Sequence, residues 1–215
     1  MTPRLLELGD AALTLELGDG IDPALSARVM AARERVVAAG LDGLTDIVPT
    51  YRSLTVHFDP LRVDRAALAA CMVGAAETRF DDIAHGKHVE IPVRFGGDDG
   101  PDLETVAATV GRSADEIVAT LCDLTLRVYL IGFLPGFPYM GDLPGWLRVP
   151  RRSTPRTAVP ANSVAIAGPQ AAVYPWESPG GWHLLGRTPM RMFDAGNVSR
   201  PALLAPGDTV RFVIA

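Results

Sequence analysis

The sequence predicts an α+β protein in two parts, a small α+β domain over residues 1–84 and a β-rich domain, barrel or sandwich, over residues 85–215. Three observations carry that expectation. The first stretch repeats, faintly, a unit of two strands and a helix; a polar stretch, "TRFDDIAHGKH" (78–88), follows as candidate linker; and from Gly132 onward Gly and Pro recur every few residues between short strands.

Each element has its own signal. "RLLELGDAALTLELG" alternates around a Gly-Asp turn and puts Leu13, Leu15 and Leu17 on one face of a strand. Asp22 is positioned to cap a helix whose first residue is Pro23, with Leu25, Val29, Ala32 and Val36 along one stripe and Gly40 as its stop. "LTDIVPTYRSLTVHF" reads as a second strand pair, and Asp64 opens a helix carrying Leu68, Cys71, Met72 and Ala75. Helices on one face of an antiparallel sheet follow from the two stripes. Further on, "VEIPVRF" is a short strand, "PDLETVAATVG" a short helix stopped by Gly111, and Ser113 with Glu116 forms a capping box. "LRVYLIGF" reads as a buried strand, and "SVAIAG" and "TVRFVIA" as later ones, within a barrel or sandwich that has long loops.

With 215 residues and 48% hydrophobic content the chain can bury a full core. A net charge of -5 disfavours nucleic acid or an anionic membrane as partner, because both require a basic face. Glu7, Asp10 and Glu16 interrupt the N-terminal stretch where an export leader needs an apolar run, and no eighteen apolar residues occur together, so a cytoplasmic protein is expected. Cys71 and Cys122 lack CxxC spacing and read as buried free thiols. There is no P-loop, no dinucleotide fingerprint and no G-x-S-x-G elbow. His85 and His88 lack a third ligand nearby, so no metal is expected in this chain.

The succession "IGFLPGFPYMGDLP", "PRRSTPRTAVPANSVAIAGPQAAVYP", "SPGGWHLLGRTP" and "PALLAPGDTVRF" closely resembles the KipI family, also called allophanate hydrolase subunit 1. The resemblance covers most of the chain, diffuse to about His88 and specific from Gly132 to Phe212. It implies that the barrel is cyclophilin-like and that the chain is similar to one half of the carboxyltransferase region of urea carboxylase. It further implies the smaller subunit of a heteromeric ATP-dependent amide hydrolase, acting on 5-oxoproline or, as in allophanate hydrolase, on a ureido compound, and inactive alone. Its partners would be a larger KipA/PxpC-like subunit and a PxpA-like subunit, with ATP bound at the level of the complex. The alternative implied by the family is a regulator that binds and inhibits a sensor histidine kinase.

Site residues are read on that background. Among Arg151, Arg152 and Arg156, the guanidinium fork of Arg156 is the first choice to hold a substrate carboxylate or a carboxyl-phosphate, while Arg151 and Arg152 are as readily surface ion pairs. Gln170, after a Gly-Pro turn, offers an amide to a lactam or ureido group. Gly136 permits close backbone approach, Phe137 and Tyr139 wall a pocket, and Phe133, in strand register, reads as core. In "SPGGWHLLGRTP", either a plain hairpin or a site loop, Gly180 and Gly181 bring amides toward an oxyanion and Trp182 anchors them. His183 is a candidate acid or base, or simply a satisfied loop histidine. Tyr174 and Arg187 complete the expected substrate-binding set.

The polar stretch between the two parts makes a direct prediction. Limited proteolysis should cut between Thr78 and His88 and leave two folded pieces. Resistance there, with cutting inside Gly132 to Phe212 instead, would contradict the two-domain layout.

Overall fold

The computed structural model describes residues 2–76 and 86–215, in two compact units, Met1–His85 and Gly86–Ala215. His85 and most of the expected connector lie outside the described residues.

The first unit runs β1 (Arg4–Glu7), β2 (Ala12–Glu16), α1 (Pro23–Ala38), β3 (Leu44–Pro49), β4 (Ser53–Phe58) and α2 (Arg65–Ala76). Its sheet has the order β1-β2-β4-β3, antiparallel throughout. Asp22 starts α1 by accepting from the amides of Ala24 at 2.7 Å and Leu25 at 3.2 Å, two donors that a helix start otherwise leaves unpaired. Period-two alternation points Leu13, Leu15, Leu54 and Val56 to one face, where Val29, Ala32 and Val36 of α1 and Leu68 and Met72 of α2 cover them. Burying each of the larger side chains contributes about 1.5–3 kcal/mol.

The second unit begins with β5 (His88–Phe95), α3 (Leu103–Val110), α4 (Ala114–Asp123), β6 (Leu126–Ile131) and β7 (Pro138–Gly141). It continues with β8 (Arg156–Val159), β9 (Ser163–Ala167), β10 (Gln170–Val173), β11 (Ser178–Gly180), β12 (His183–Arg187) and β13 (Thr209–Ile214). Seven strands close into a barrel in the order β10-β7-β6-β13-β5-β12-β9, and β8 with β11 forms a separate two-stranded ribbon. The chain is thus α+β with a closed barrel. Strand β13 lies parallel to β5 from Thr209 opposite His88 to Ile214 opposite Val93. His88 therefore belongs to a barrel strand rather than a linker, and its Nδ1 is 3.0 Å from the Thr209 hydroxyl. The Ser113–Glu116 capping box forms as read from the sequence.

Two further features depart from expectation. "SPGGWHLLGRTP" is not a hairpin, because β11 pairs with β8 while β12 pairs with β5 and β9. Cys71 and Cys122 are half-buried rather than buried.

Alternation divides the barrel wall. Val164, Ile166, Ala171 and Val173 point inward to the main core, which Leu103 and Val106 of α3 and Ile117 and Leu121 of α4 also join. Their neighbours Ala165, Ala167 and Ala172 point outward into a second apolar cluster with Phe137, Tyr174 and Trp182.

One buried carboxylate fastens the segments around that cluster. Asp102, just ahead of α3, accepts at Oδ1 from Arg152 Nη1 at 2.9 Å and Arg156 Nη2 at 2.8 Å. Its Oδ2 accepts from Arg156 Nη1 and from the Leu184 amide, both at 2.8 Å. Burial pushes this carboxyl up, but the Arg156 hydrogen bonds, the Leu184 amide and the charges of Arg156 and Arg152 together hold it below the usual carboxylate range.

Asp102→Asn should cost about 3 kcal/mol, the low end for a broken buried pair, because the Arg156 side chain keeps 23% exposure. Since the folded-state value is depressed, this stabilisation is present above the unfolded value of about 3.9 and is lost as pH falls through the folded value. Urea unfolding at about pH 7 and about pH 3 should therefore show a wide gap between wild type and variant at neutral pH that narrows in acid. An equal gap at both would contradict the assignment.

Candidate functional site

On the outer face of the barrel the loop after β6, the β8–β11 ribbon and the start of β12 enclose a cleft of about 270 Å³. The three outward alanines leave room for rings to lie against the sheet. Phe137 is the centre of the cluster: its ring meets Tyr139 at 4.9 Å, Tyr174 at 5.1 Å and Trp182 at 5.8 Å between centroids, all edge to face. Such pairs are each worth about 0.5–1.5 kcal/mol beyond area burial, so the walls are stiff. Gly180 passes so close to Tyr174 that a Cβ there would run into the phenol ring, which is the local reason for a glycine. The Gly181 carbonyl accepts from the Arg152 amide at 2.8 Å, tying the same loop to the arginine segment.

Of the residues expected from sequence, Phe137, Tyr139, Tyr174, Gly180, Gly181 and Trp182 all line this cleft. The others do not. Gly136 has φ +81°, and a Cβ on it would meet Phe193 Cβ at 2.8 Å, so it serves close packing. Gln170, half-buried and paired with Ala167 at the start of β10, lies outside the residues that line the cleft. Arg187 donates through Nε to the Ala161 carbonyl at 3.0 Å. His183 lines a separate groove, where Nε2 donates to the Pro150 carbonyl at 2.9 Å. Arg156, expected to grip an oxyanion, has both prongs closed on Asp102.

Two residues take parts that sequence reasoning assigned elsewhere. Phe133 is not core: it turns out of strand register at φ +66°, is 59% exposed, and stands at the cleft with its ring 5.4 Å from that of Phe137. Arg151 is the cation of the cleft. Its Cζ lies 6.0 Å from the centroid of the Trp182 ring, and among the described residues no carboxylate lies within ion-pair distance of it. The crowded "PRRSTPR" signalled an arginine, but which one stays unpaired depends on Asp102, about fifty residues upstream.

The electrostatics of the cleft are simple. Burial pushes the Tyr139 and Tyr174 phenols up from their ordinary range, opposed by the charge of Arg151 and, for Tyr174, by the Trp182 amide. Both phenols are therefore neutral through the physiological range. The cleft offers one permanent positive charge, aromatic faces and phenolic donors: the equipment to bind a small, flat, anionic molecule.

Comparison with known proteins places this chain in a family. The family described as carboxyltransferase domain, subdomain C and D, matches residues 3–204. The B subunit of 5-oxoprolinase from Bacillus subtilis (strain 168) is 36% identical over 221 residues, spanning 98% of this chain and 92% of that protein. Its counterpart from Haemophilus influenzae, also named as the B subunit of 5-oxoprolinase, is 48% identical over 178 residues, 83% of this chain and 78% of its own length. The solved structure of TTHA0988 superposes with a TM-score of 0.84 at 38% identity, covering 95% of this chain but only 40% of that longer one. The chain belongs to the family of carboxyltransferase subdomains C and D, among the 5-oxoprolinase B subunits also known as KipI or allophanate hydrolase subunit 1.

Proposed function

We propose that this chain is the smaller subunit of a heteromeric ATP-dependent amide hydrolase of the 5-oxoprolinase type, and that its aromatic cleft holds 5-oxoproline or a related lactam or ureido compound. The observation that carries the reading is the unpaired guanidinium of Arg151 over the Trp182 face, beside two protonated phenols. 5-Oxoproline has a flat ring, a carboxylate and a lactam group. The ring suits the aromatic walls, the carboxylate suits Arg151, and the lactam oxygen suits a phenolic donor. The resemblance to proteins named as 5-oxoprolinase B subunits supports the same substrate class.

The residues lining the cleft include no carboxylate, imidazole or thiol. This chain therefore binds and orients the amide and excludes water, while the partner supplies the reacting groups. That partner is a larger KipA/PxpC-like subunit, with a PxpA-like subunit completing the assembly and ATP bound at the level of the complex. The protein acts in the cytoplasm, and among the described residues no helix is long and apolar enough to cross a membrane.

Arg151→Ala in the assembled complex should remove a charge-assisted bond of about 1.5–3 kcal/mol and lower kcat/KM by roughly 10- to 150-fold. The melting temperature should stay within about 2 °C of wild type, because Arg151 holds no structural carboxylate. Arg151→Lys should recover little, since an ammonium lacks the planar fork. Arg156→Ala should behave oppositely, losing stability first. Unchanged kcat/KM in a folded Arg151→Ala complex would sink the site assignment.

Since both phenols keep their protons and a guanidinium stays charged, KM should be flat from about pH 6 to about pH 9. A KM that rises across that window would show that a titrating group holds the substrate. Substrate-dependent ATP hydrolysis by the purified chain alone would overturn the assignment of chemistry to a partner.

A further inference from the structure

Beside the aromatic cleft is a groove of about 420 Å³ with different chemistry. Arg151, Arg152 and His183 line it together with the hydroxyl-bearing Ser153 and Thr154, and Val106 and Val149 give it an apolar part. Arg151 is common to both concavities.

Charge balance decides what this groove can hold. The segment from Arg151 to Arg156 carries three guanidinium groups, and the ion pairs among the described residues give them a single carboxylate, Asp102. Three positive charges against one negative leave two uncompensated. Asp102 has nothing further to offer, because its two oxygens already accept four hydrogen bonds.

Two residues that line the groove carry a sealed nitrogen without a partner. Arg152 uses Nη1 on Asp102, while its Nε is sealed from water with no acceptor. His183 donates through Nε2 to Pro150, so Nε2 carries the ring proton, and its sealed Nδ1 has no partner. Nδ1 is then a lone-pair acceptor that an oxyanion cannot satisfy, whereas the Arg152 Nε is a buried donor, and leaving such a donor unmade costs about 1–3 kcal/mol.

We propose that this groove binds a tetrahedral oxyanion, a phosphate or phosphoryl group, seated next to the amide cleft with Arg151 shared between the two ligands. A dianion matches the two uncompensated charges, and its several oxygens can accept from guanidinium nitrogens and from the Ser153 and Thr154 hydroxyls together. The apolar side formed by Val106 and Val149 suits an organic part attached to the phosphoryl group. The meaning of the groove for turnover rests on the proposed function of the cleft; its ability to bind an oxyanion does not.

The test is an NMR titration of the full chain with inorganic phosphate at constant ionic strength, balanced with chloride. Saturable shifts should be confined to Arg151–Thr154 and His183. Binding should weaken at least about fivefold in Arg152→Gln. Because Arg152 also touches Asp102, the paired substitution Ser153→Ala with Thr154→Val supplies an arm that leaves the Asp102 bonds intact, and it should weaken binding too. Displacement of phosphate by ADP would identify a nucleotide as the source of the phosphoryl group, and failure to displace would identify free or acyl phosphate; each result is oxyanion binding in the groove. No saturable shift beyond the chloride control, shifts scattered over the surface arginines, or wild-type binding by both variants would overturn the proposal. A parallel titration with 5-oxoproline, read at Trp182 and Tyr139, keeps the two ideas apart: no shift there with phosphate binding intact would remove the cleft reading and leave the groove.

Discussion

Asp102 is the constraint on which the site depends. A carboxylate taken out of water is costly unless its lone pairs are filled, and here all the donors come from sequence-distant segments: two arginines of the 151–156 stretch and the backbone at the start of β12. Satisfying one group therefore brings α3, the arginine segment and the "SPGGWH" turn into a single arrangement. The same bonds decide which arginine is left over. With Arg152 and Arg156 committed, Arg151 stays unpaired and rests over Trp182, where its charge faces a cleft instead of a carboxylate.

Room for the cleft comes from side-chain size on the outer face of the barrel. Strand periodicity sends Val164, Ile166 and Val173 inward and Ala165, Ala167 and Ala172 outward. A larger residue at any of the three alanines would lift the Phe137, Tyr174 and Trp182 rings off the sheet. The aromatic walls in turn push the Tyr139 and Tyr174 phenols further above their ordinary range by denying them water. Small residues on the outer face of β9 and β10 thus set where rings many residues away can pack.

Local chemistry made much of this legible. The Asp22 cap, the Ser113–Glu116 box and the stops at Gly40 and Gly111 depend on neighbours within a few residues, and the elements they bound lie where the sequence puts them. Non-local pairing was not legible. Nothing between Ser178 and Arg187 tells that β11 joins β8 while β12 joins β9 and β5, so the stretch resembled a hairpin. The aromatic members of the site were readable because rings concentrated near Gly and Pro have few other uses. Which arginines pair with Asp102 was not, because that carboxylate lies about fifty residues upstream, and the exposure of Phe133 hangs on a single left-handed residue just past β6. Gln170 and Arg187 show the same limit: their types suit a ligand, but register places them outside the cleft.

The most direct measurement is a crystal structure of the chain with 5-oxoproline bound. The ring should lie against Trp182 and Phe137, with the carboxylate about 2.8 Å from the Arg151 guanidinium and the Asp102–Arg156 pair unbroken. A carboxylate held by Arg156 with Asp102 displaced, or a ligand seated outside the aromatic cleft, would contradict the assignment of Arg151 as the binding cation.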